Sequence, residues 1–270
     1  MSLGAPMRSL LRLLPRHAAN PAAPAARVLI LTPVKDAADC IDGYCDRVRR
    51  LTYPRSLTSL GFLESDSTDG TYERLQRQMQ RLRSEFRRAR LWKRDFGYQI
   101  PPGLPRWYPP IQPARRSVLA KSRNHLLFHA LDDEDWVLWL DVDVIEYPAD
   151  IVERLLATGK EIVQPHCVCD YGGPTFDLNG WRDQGRLHLE DLRDGPELVP
   201  LHAVGGTILL VRADVHRDGL IFPAFPYGVQ NHLVRPGQGE IETEGLGVMA
   251  HDMGHECWGM PQLEVIHRRQ

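Results

Sequence analysis

The sequence predicts an α/β fold, in which a parallel or mixed sheet carries helices on both faces. Two patterns lead to this prediction. Short apolar runs, such as residues 28–32 and 136–140, are rich in Val, Leu, Ile and Trp, as in strands that are buried on both faces. Between them lie segments such as 72–86, where apolar residues recur at steps of three and four, as in an amphipathic helix.

The first half of the chain keeps this alternation from residue 27 to residue 170. We expect strands at 28–32, 57–64, 136–140 and 161–165, and helices at 37–51, 72–86, 114–131 and 150–158. Six prolines between residues 101 and 113 exclude regular structure there and indicate an ordered or closing loop.

The pattern changes beyond residue 170. A polar stretch is followed by an expected strand at 207–211, a helix near 242–253 and a last strand that ends at His267. We therefore predict one domain, residues 27–270, made of two halves, 27–170 and 171–270. Residues 1–26 contain a short basic and apolar piece and an Ala/Pro-rich spacer, and we expect them to be flexible.

Composition excludes several classes of protein. The chain has 270 residues, enough for a sizeable core, and its 43% hydrophobic and 25% charged residues argue against disordered and collagen-like chains. A net charge of -2 gives no basic excess for binding nucleic acid, so no nucleic-acid partner is expected.

Cysteine usage and hydropathy bear on location. The five cysteines form no repeated CxxC pattern, which favours reduced thiols and a cytoplasmic chain. No apolar run approaches the roughly 20 residues that span a bilayer. The basic and apolar piece at 7–14 leaves peripheral contact with a membrane surface as an alternative.

Asp141 and Asp143 are the most informative residues. They follow a core strand directly, and two residues apart on an extended chain their side chains point to the same side. Sheets of this class place ligands at the carboxyl ends of strands. Two carboxylates in one crevice need a cation, a shared proton or good solvation, and oxygen ligands suit Mg²⁺ or Mn²⁺ shared with a phosphate. The alternative is a pair of surface carboxylates on a turn.

At this point the chain resembles glycosyltransferase family 62, the fungal Golgi α-mannosyltransferases that build mannan. The resemblance is carried by ten segments in the same order, which run over nearly all of 28–267. They are residues 30–36, 51–54, 59–71, 94–97, 114–124, 136–143, 176–181, 204–206, 222–225 and 242–245. The segment at 168–174 and the loop at 227–239 depart from the family pattern.

The resemblance implies a fold and an activity. The fold is a single GT-A type domain, with a Rossmann-like nucleotide-sugar-binding half fused to an acceptor and catalytic half. The activity is that of a metal-dependent retaining transferase that uses Mn²⁺ or Mg²⁺. The implied partners are a nucleotide-sugar donor, GDP-mannose in the first place, and a glycan or glycoconjugate acceptor. Front-face displacement and a covalent carboxylate intermediate both stay open as mechanisms.

The resemblance also implies roles for single residues. The expected metal ligands are Asp141, Asp143 and His267. The residues expected to bind the nucleotide sugar are Pro33, Asp36, Glu64, Asp66, Arg116, Arg123, Asn124 and Asp141. For the sugar or acceptor we expect Asp177, Asn179, Gly205 and Gly206, and for catalysis Asp143, Glu242 and Glu244.

Several of these residues have a plain structural alternative. Asp66 is as well explained by capping or turn formation as by ribose binding, and Gly205-Gly206 by a plain turn. Arg116 and Arg123, seven apart, share one face of the predicted helix, whereas Arg115 is expected on a solvated basic face.

Two other function classes compete with the transferase. A nucleotidyltransferase on a similar sheet would use the same carboxylates, but residues 32–35 lack its Gly-rich phosphate loop. A non-catalytic subunit that binds sugar or nucleotide is the third class, since mannan-building complexes contain several related chains. Oligomeric state, acceptor and linkage are left open by the sequence.

Overall fold

The computed structural model describes residues 26–269. The flexible segment predicted at 1–26 therefore lies almost wholly outside the described residues. The strands are β1 (Val28–Val34), β2 (Thr58–Glu64), β3 (Arg88–Lys93), β4 (Trp136–Leu140), β5 (Val144–Glu146), β6 (Ile162–Val168), β7 (Trp181–Arg182), β8 (Leu187–His188), β9 (Val199–Leu201), β10 (Ile208–Arg212) and β11 (Cys257–His267). The helices are α1 (Ile41–Arg49), α2 (Thr71–Glu85), α3 (Gln112–Ala130), α4 (Ile151–Ala157), α5 (Ala213–Arg217) and α6 (Glu242–Asp252).

Within residues 26–269, nine strands form one mixed sheet in the order β3-β2-β1-β4-β10-β6-β11-β5, with β9 paired to β11. Strands β3, β2, β1 and β4 are parallel, and β6 is parallel to β11. Strand β10 runs antiparallel to both of its neighbours, β4 and β6. The predicted mixed, mostly parallel sheet is confirmed.

This topology gathers four strand ends and one strand start at a single edge. Strands β1, β4, β6 and β11 run in the same direction and end there, and the antiparallel β10 begins there. The residues just outside the strands, such as Asp36, Asp141 and Thr207, therefore lie along this edge, as does His267 at the end of β11.

Helices cover both faces because successive strand residues point to opposite sides. In β1, Val28 and Ile30 pack with α1 and α2, while Leu29 and Leu31 pack with α3 and α6. These β1 side chains are all at most 2% exposed. Within the described residues, no helix is long and apolar enough to cross a membrane.

The structure adds elements that the sequence patterns did not predict. Strand β3 reads Arg-Ala-Arg-Leu-Trp-Lys, and as an edge strand it is half exposed and has no apolar run. The short strands β5 and β9 and helix α5 also lack a long pattern. Helix α1 begins at Ile41 rather than at 37, since residues 37–40 form a turn in which Cys40 N donates to Ala37 O.

Candidate active site at the carboxyl edge of the sheet

Two adjoining cavities open at this edge of the sheet. The β1 cavity, about 530 Å³, is lined by Pro33, Asp36, Asp143 and others. The β10 cavity, about 990 Å³, is lined by residues of both halves, including Arg123, Gly206 and Glu242. Both cavities share Arg106, Arg115 and Asp141, so the cavities adjoin at a common wall.

Asp143 and His267 face each other at this wall. His267 Nε2 lies 3.0 Å from Asp143 Oδ1, and its ring stacks on Phe176 with centroids 3.5 Å apart. His267 Nδ1 lies 2.6 Å from the carbonyl oxygen of Arg268, which only accepts, so Nδ1 carries a proton. In the neutral imidazole, Nε2 and the carboxylate are then two facing acceptors, and a proton or a metal cation must lie between them.

The charges of this pair follow from its contacts. Burial opposes ionisation of Asp143, but the hydrogen bond and charge of His267, with Arg106 nearby, outweigh it and hold the pKa of Asp143 below its usual value. Burial also opposes ionisation of His267 and lowers its pKa. The hydrogen bond and charge of Asp143 raise this pKa by more, so that it lies above its usual value. Each side chain therefore favours the charged form of the other.

The Asp143–His267 pair fits a divalent cation. Carboxylate and imidazole ligands suit Mn²⁺, and the Arg268 carbonyl accepts from Nδ1 and so orients the ring, as carbonyls beside metal-bound histidines do. Throughout residues 26–269, no three His, Cys, Asp or Glu side chains gather as a complete metal site. Asp141, the third expected ligand, lies against Arg123 instead.

Asp141 faces Arg123. Its Oδ1 lies 3.1 Å from Arg123 Nη2, and its carboxyl lines both cavities. Burial, helped by the charges of Asp143 and Glu242, raises the pKa of Asp141 to about 7. A cation at the neighbouring Asp143 would favour the ionised form of Asp141.

Arg123 is the buried centre of the site. Its side chain is only 2% exposed, and its Nε lies 2.7 Å from Glu242 Oε1. The guanidinium lies 5.3 Å from the Trp139 ring and 5.4 Å from the Phe222 ring. These rings and the two carboxylates hold the guanidinium in one orientation against the β10 cavity.

Glu242 has a strained backbone, with a φ of 64° at the first residue of α6. Arg116 supports this turn, because its Nη2 donates to the carbonyl of Ile241 at 2.5 Å and pairs with Glu244. Trp181 Nε1 also donates to Glu244, at 2.6 Å. Glu242 therefore lines the β10 cavity, while Glu244 lies behind it and is not among the lining residues of either cavity.

Asp177 joins the start of β10 to the cavity wall. Its Oδ2 accepts hydrogen bonds from the backbone N–H groups of Gly206 and Thr207, at 3.0 and 3.2 Å. A Cβ on Gly205 would overlap the Asp177 carboxylate, and one on Gly206 would lie 2.7 Å from Arg123 Nη2. The glycine pair thus lets these two side chains approach the backbone, and Asp177, Asn179 and Gly206 line the β10 cavity.

Three residues expected to bind the nucleotide sugar are used elsewhere. The Asn124 amide bonds the backbone of Phe222 through both its atoms, at 2.7 and 2.9 Å. The Asp66 carboxylate accepts the N–H groups of Phe96 and Gly97, both at 2.9 Å. Glu64 is fully buried beside Lys93 and accepts from Ser67 N. None of the three lines either cavity, whereas Pro33 and Asp36 line the β1 cavity.

Sequence reasoning missed two arginines at the common wall. Arg115 lines both cavities with Leu119, so the prediction of a solvated face was wrong. The helical spacing carries this information, because residues seven apart lie on the same face of a helix. Arg115 and Ser122 are seven apart on α3, and both line the β1 cavity. Arg106 belongs to the proline-rich segment, where no periodicity marks it.

Comparisons with known proteins agree with this architecture. The Anp1 family model matches residues 15–192 and 183–226. The anp1 subunit of the mannan polymerase II complex of Schizosaccharomyces pombe is 30% identical over 90% of this chain. The chain spans 64% of that relative's length. The mannan polymerase complex subunit MNN9 of Candida albicans is also 30% identical, over 89% of this chain and 74% of its own.

Solved structures show the same fold at lower identity. The mannosyltransferase PcManGT from Pyrobaculum calidifontis, in complex with GDP-Man and Mn²⁺, superposes with a TM-score of 0.55 at 18% identity, covering 95% of this chain and 61% of its own. S. aureus TarS in complex with UDP gives 0.52 at 11% identity, covering 88% of this chain and 59% of its own. The fold is that of GT-A glycosyltransferases. By sequence the chain belongs to the Anp1 family, glycosyltransferase family 62.

Proposed function

We propose that this chain is a metal-dependent retaining glycosyltransferase that moves mannose from GDP-mannose to a glycan or glycoconjugate acceptor. The observation that carries the proposal is the Asp143–His267 pair, a carboxylate facing an imidazole nitrogen at 3.0 Å beside two cavities at one sheet edge. Its support is that several relatives are named as mannan polymerase subunits and that a structural neighbour was solved with GDP-Man and Mn²⁺. A cytoplasmic location stays a prediction.

In this proposal Asp143 and His267 hold Mn²⁺ or Mg²⁺, and Asp141 takes part through its charge. When bound, the cation supplies Lewis-acid stabilisation of the negative charge that grows on the departing diphosphate. The β1 cavity accepts the nucleoside, with Pro33 and Asp36 on its wall. Asp36 presents a carboxylate that can accept hydrogen bonds from ribose hydroxyls or base N–H groups.

The β10 cavity takes the sugar and the acceptor. Arg123 presents a fixed positive charge, which needs no reorganisation when charge develops on the substrate. Asp177, Asn179 and Glu242 line the same cavity and can accept hydrogen bonds from sugar hydroxyls. Glu242 is paired with Arg123 and with the hydroxyl of Thr243, at 2.8 Å, which weakens it as a nucleophile and favours front-face displacement.

The test is hydrolysis and transfer of nucleotide sugars in the presence of Mn²⁺, with Asp143→Asn beside wild type. We expect turnover of GDP-mannose that needs the cation and that falls at least 100-fold in the variant, since removing one stabiliser of transition-state charge typically costs about that factor. Asp214→Asn is the control, because Asp214 is an exposed carboxylate on α5. Absence of turnover with every nucleotide sugar, together with unchanged nucleotide binding in Asp143→Ala, would contradict the proposal.

A non-catalytic role is the second candidate, and the names of the relatives favour it, since they are subunits of complexes. Calorimetry separates the two: a subunit of this kind binds glycan but shows no cation-dependent nucleotide binding. Protection from thermal unfolding by a nucleoside triphosphate, and not by a nucleotide sugar, would favour a nucleotidyltransferase instead.

A further inference from the structure

Arg106 lies against the carboxylate that faces His267. Its Nη1 is 3.5 Å from Asp143 Oδ2, whereas Oδ1 of the same carboxylate faces His267. Asp143 therefore has Arg106 at one carboxylate oxygen and His267 at the other. The Arg106 side chain is 44% exposed and the Asp143 side chain 18%, so the contact lies at the cavity surface and solvent can reach it.

The segment that carries Arg106 is weakly held. In residues 100–108, the backbone hydrogen bonds are local ones, from Leu104 N to Pro101 O, from Tyr108 N to Pro105 O and from Ile111 N to Tyr108 O. Gln112 at the start of α3 donates to the Arg106 carbonyl at 2.6 Å, which fixes one end. Among the described residues, the ion pair with Asp143 is the polar contact that ties this segment to the sheet.

Arg115 lines the same wall as Arg106. In the described part of the chain its guanidinium forms no salt bridge, and its Nη1 donates only to Gln112 Oε1, at 3.3 Å. Burial and the charge of Arg106 lower the pKa of Arg115, although the charges of Glu242 and Asp141 oppose this. An anion in the β1 cavity would relieve both effects.

We propose that Arg106 is an exchangeable counter-ion: it neutralises Asp143 until a divalent cation binds there, and then moves with segment 100–108 onto the diphosphate beside Arg115. The inference rests on the proposed function, since it takes Asp143 as a cation ligand. It predicts that the cation and a nucleoside diphosphate bind cooperatively, and that Arg106 carries part of this coupling.

Calorimetry of Mn²⁺ alone, and of GDP at saturating Mn²⁺, tests the exchange in the full chain. Arg106→Ala should bind Mn²⁺ about two- to fivefold more tightly than wild type, since it removes a competing, half-exposed ion pair. The same variant should bind GDP with Mn²⁺ about tenfold more weakly, because a charge-assisted hydrogen bond to phosphate is lost. Arg106→Lys should lie near wild type for Mn²⁺.

Arg269→Ala is the matched control. Arg269 lines both cavities but pairs with Asp170 rather than with Asp143, so its loss should leave the Mn²⁺ affinity near that of wild type. The exchange would be overturned if the Mn²⁺ affinity rose equally in Arg269→Ala and Arg106→Ala, or did not rise in Arg106→Ala. Neither result would contradict the proposed metal site. If neither wild type nor Arg106→Ala binds Mn²⁺, the proposed function and this inference both fail.

A second readout follows the segment itself. Trp107 is 70% exposed and is a chymotrypsin site next to Arg106. Mn²⁺ alone should raise the rate of cleavage after Trp107, and Mn²⁺ with GDP should lower it below the ligand-free rate. Arg106→Ala should be cleaved at the raised rate without Mn²⁺. A cleavage rate that does not respond to Mn²⁺ contradicts the release of the segment.

Discussion

Arg123 and Glu242, from helices α3 and α6, form an ion pair whose atoms Nε and Oε1 lie 2.7 Å apart, with side chains only 2% and 3% exposed. The pair connects the two halves of the domain, because Arg123 also contacts Asp141 at the end of β4. Its position depends on the left-handed backbone of Glu242, which Arg116 supports through the carbonyl of Ile241.

Breaking this pair should destabilise the protein. Arg123→Met leaves Glu242 and Asp141 buried without their partner, so we expect the free energy of unfolding to fall by about 3–5 kcal/mol. Arg115→Met removes an arginine that has no salt bridge within residues 26–269, and it should cost less than about 1 kcal/mol. Urea denaturation measures both. Equal losses of unfolding free energy in the two variants would mean that the ion pair does not stabilise the contact between α3 and α6.

Phe176 should affect cation binding without being a ligand. Its ring stacks on that of His267 with an interplanar angle of 10°, which fixes the direction of Nε2. We expect Phe176→Leu to weaken Mn²⁺ binding about tenfold, the usual effect of losing an outer-shell contact, and His267→Ala to weaken it further. Isothermal titration calorimetry at constant pH measures both affinities. Phe176→Tyr keeps the stacking ring and should remain near wild type, so a loss as large as that of the leucine variant would contradict the argument.

Asn124 should matter for folding and not for the ligand. Both of its amide atoms bond the backbone of Phe222, which packs on Trp139 beneath Arg123. Asn124→Leu should lower the free energy of unfolding by about 1–3 kcal/mol, since it leaves buried backbone groups of Phe222 unpaired. We expect the folded variant to bind GDP and Mn²⁺ as wild type does. A variant of unchanged stability that loses nucleotide binding would restore the role expected from the sequence.

His216 should make the protein sensitive to acid. Burial lowers its pKa to about 4, from the usual 6.5, while Nδ1 donates to Leu220 O and Nε2 accepts from Trp139 Nε1. Between pH 6.5 and 4 the unfolded chain binds this proton and the folded chain does not. The free energy of unfolding should therefore fall as the pH falls through this window, by about 3 kcal/mol in total.

The variant His216→Gln tests this contribution, because glutamine still offers an acceptor to Trp139 but takes up no proton. Urea midpoints across pH 4–7 should fall less steeply in the variant than in wild type. The exposed histidine His232 gives the control, since His232→Gln should leave the slope unchanged. Parallel curves for wild type and His216→Gln would show that the buried imidazole is not what makes the fold acid-sensitive.

Several elements of the fold follow from local sequence patterns. The runs that became β1, β4 and β10 are apolar enough to be recognised as buried strands, and the period of α2 marks it as a helix. Strand β3 was not predicted, because an edge strand is half solvated and its sequence keeps charged residues. The spacing of Asp141 and Asp143 after a buried strand was sufficient to place both at the sheet edge.

The same distinction between local pattern and tertiary contact applies to the candidate site. By itself the sequence predicted the buried strands and the main helices and, through its ordered family segments, proposed Asp143, Arg123, Glu242 and His267 for the site. Only the tertiary structure decided that Asn124 bonds Phe222 and that Arg115 and Arg106 reach the cavities. The physical reason is that a local pattern reports which face of one element is apolar. The partner of a polar side chain depends on how distant elements cross at the sheet edge.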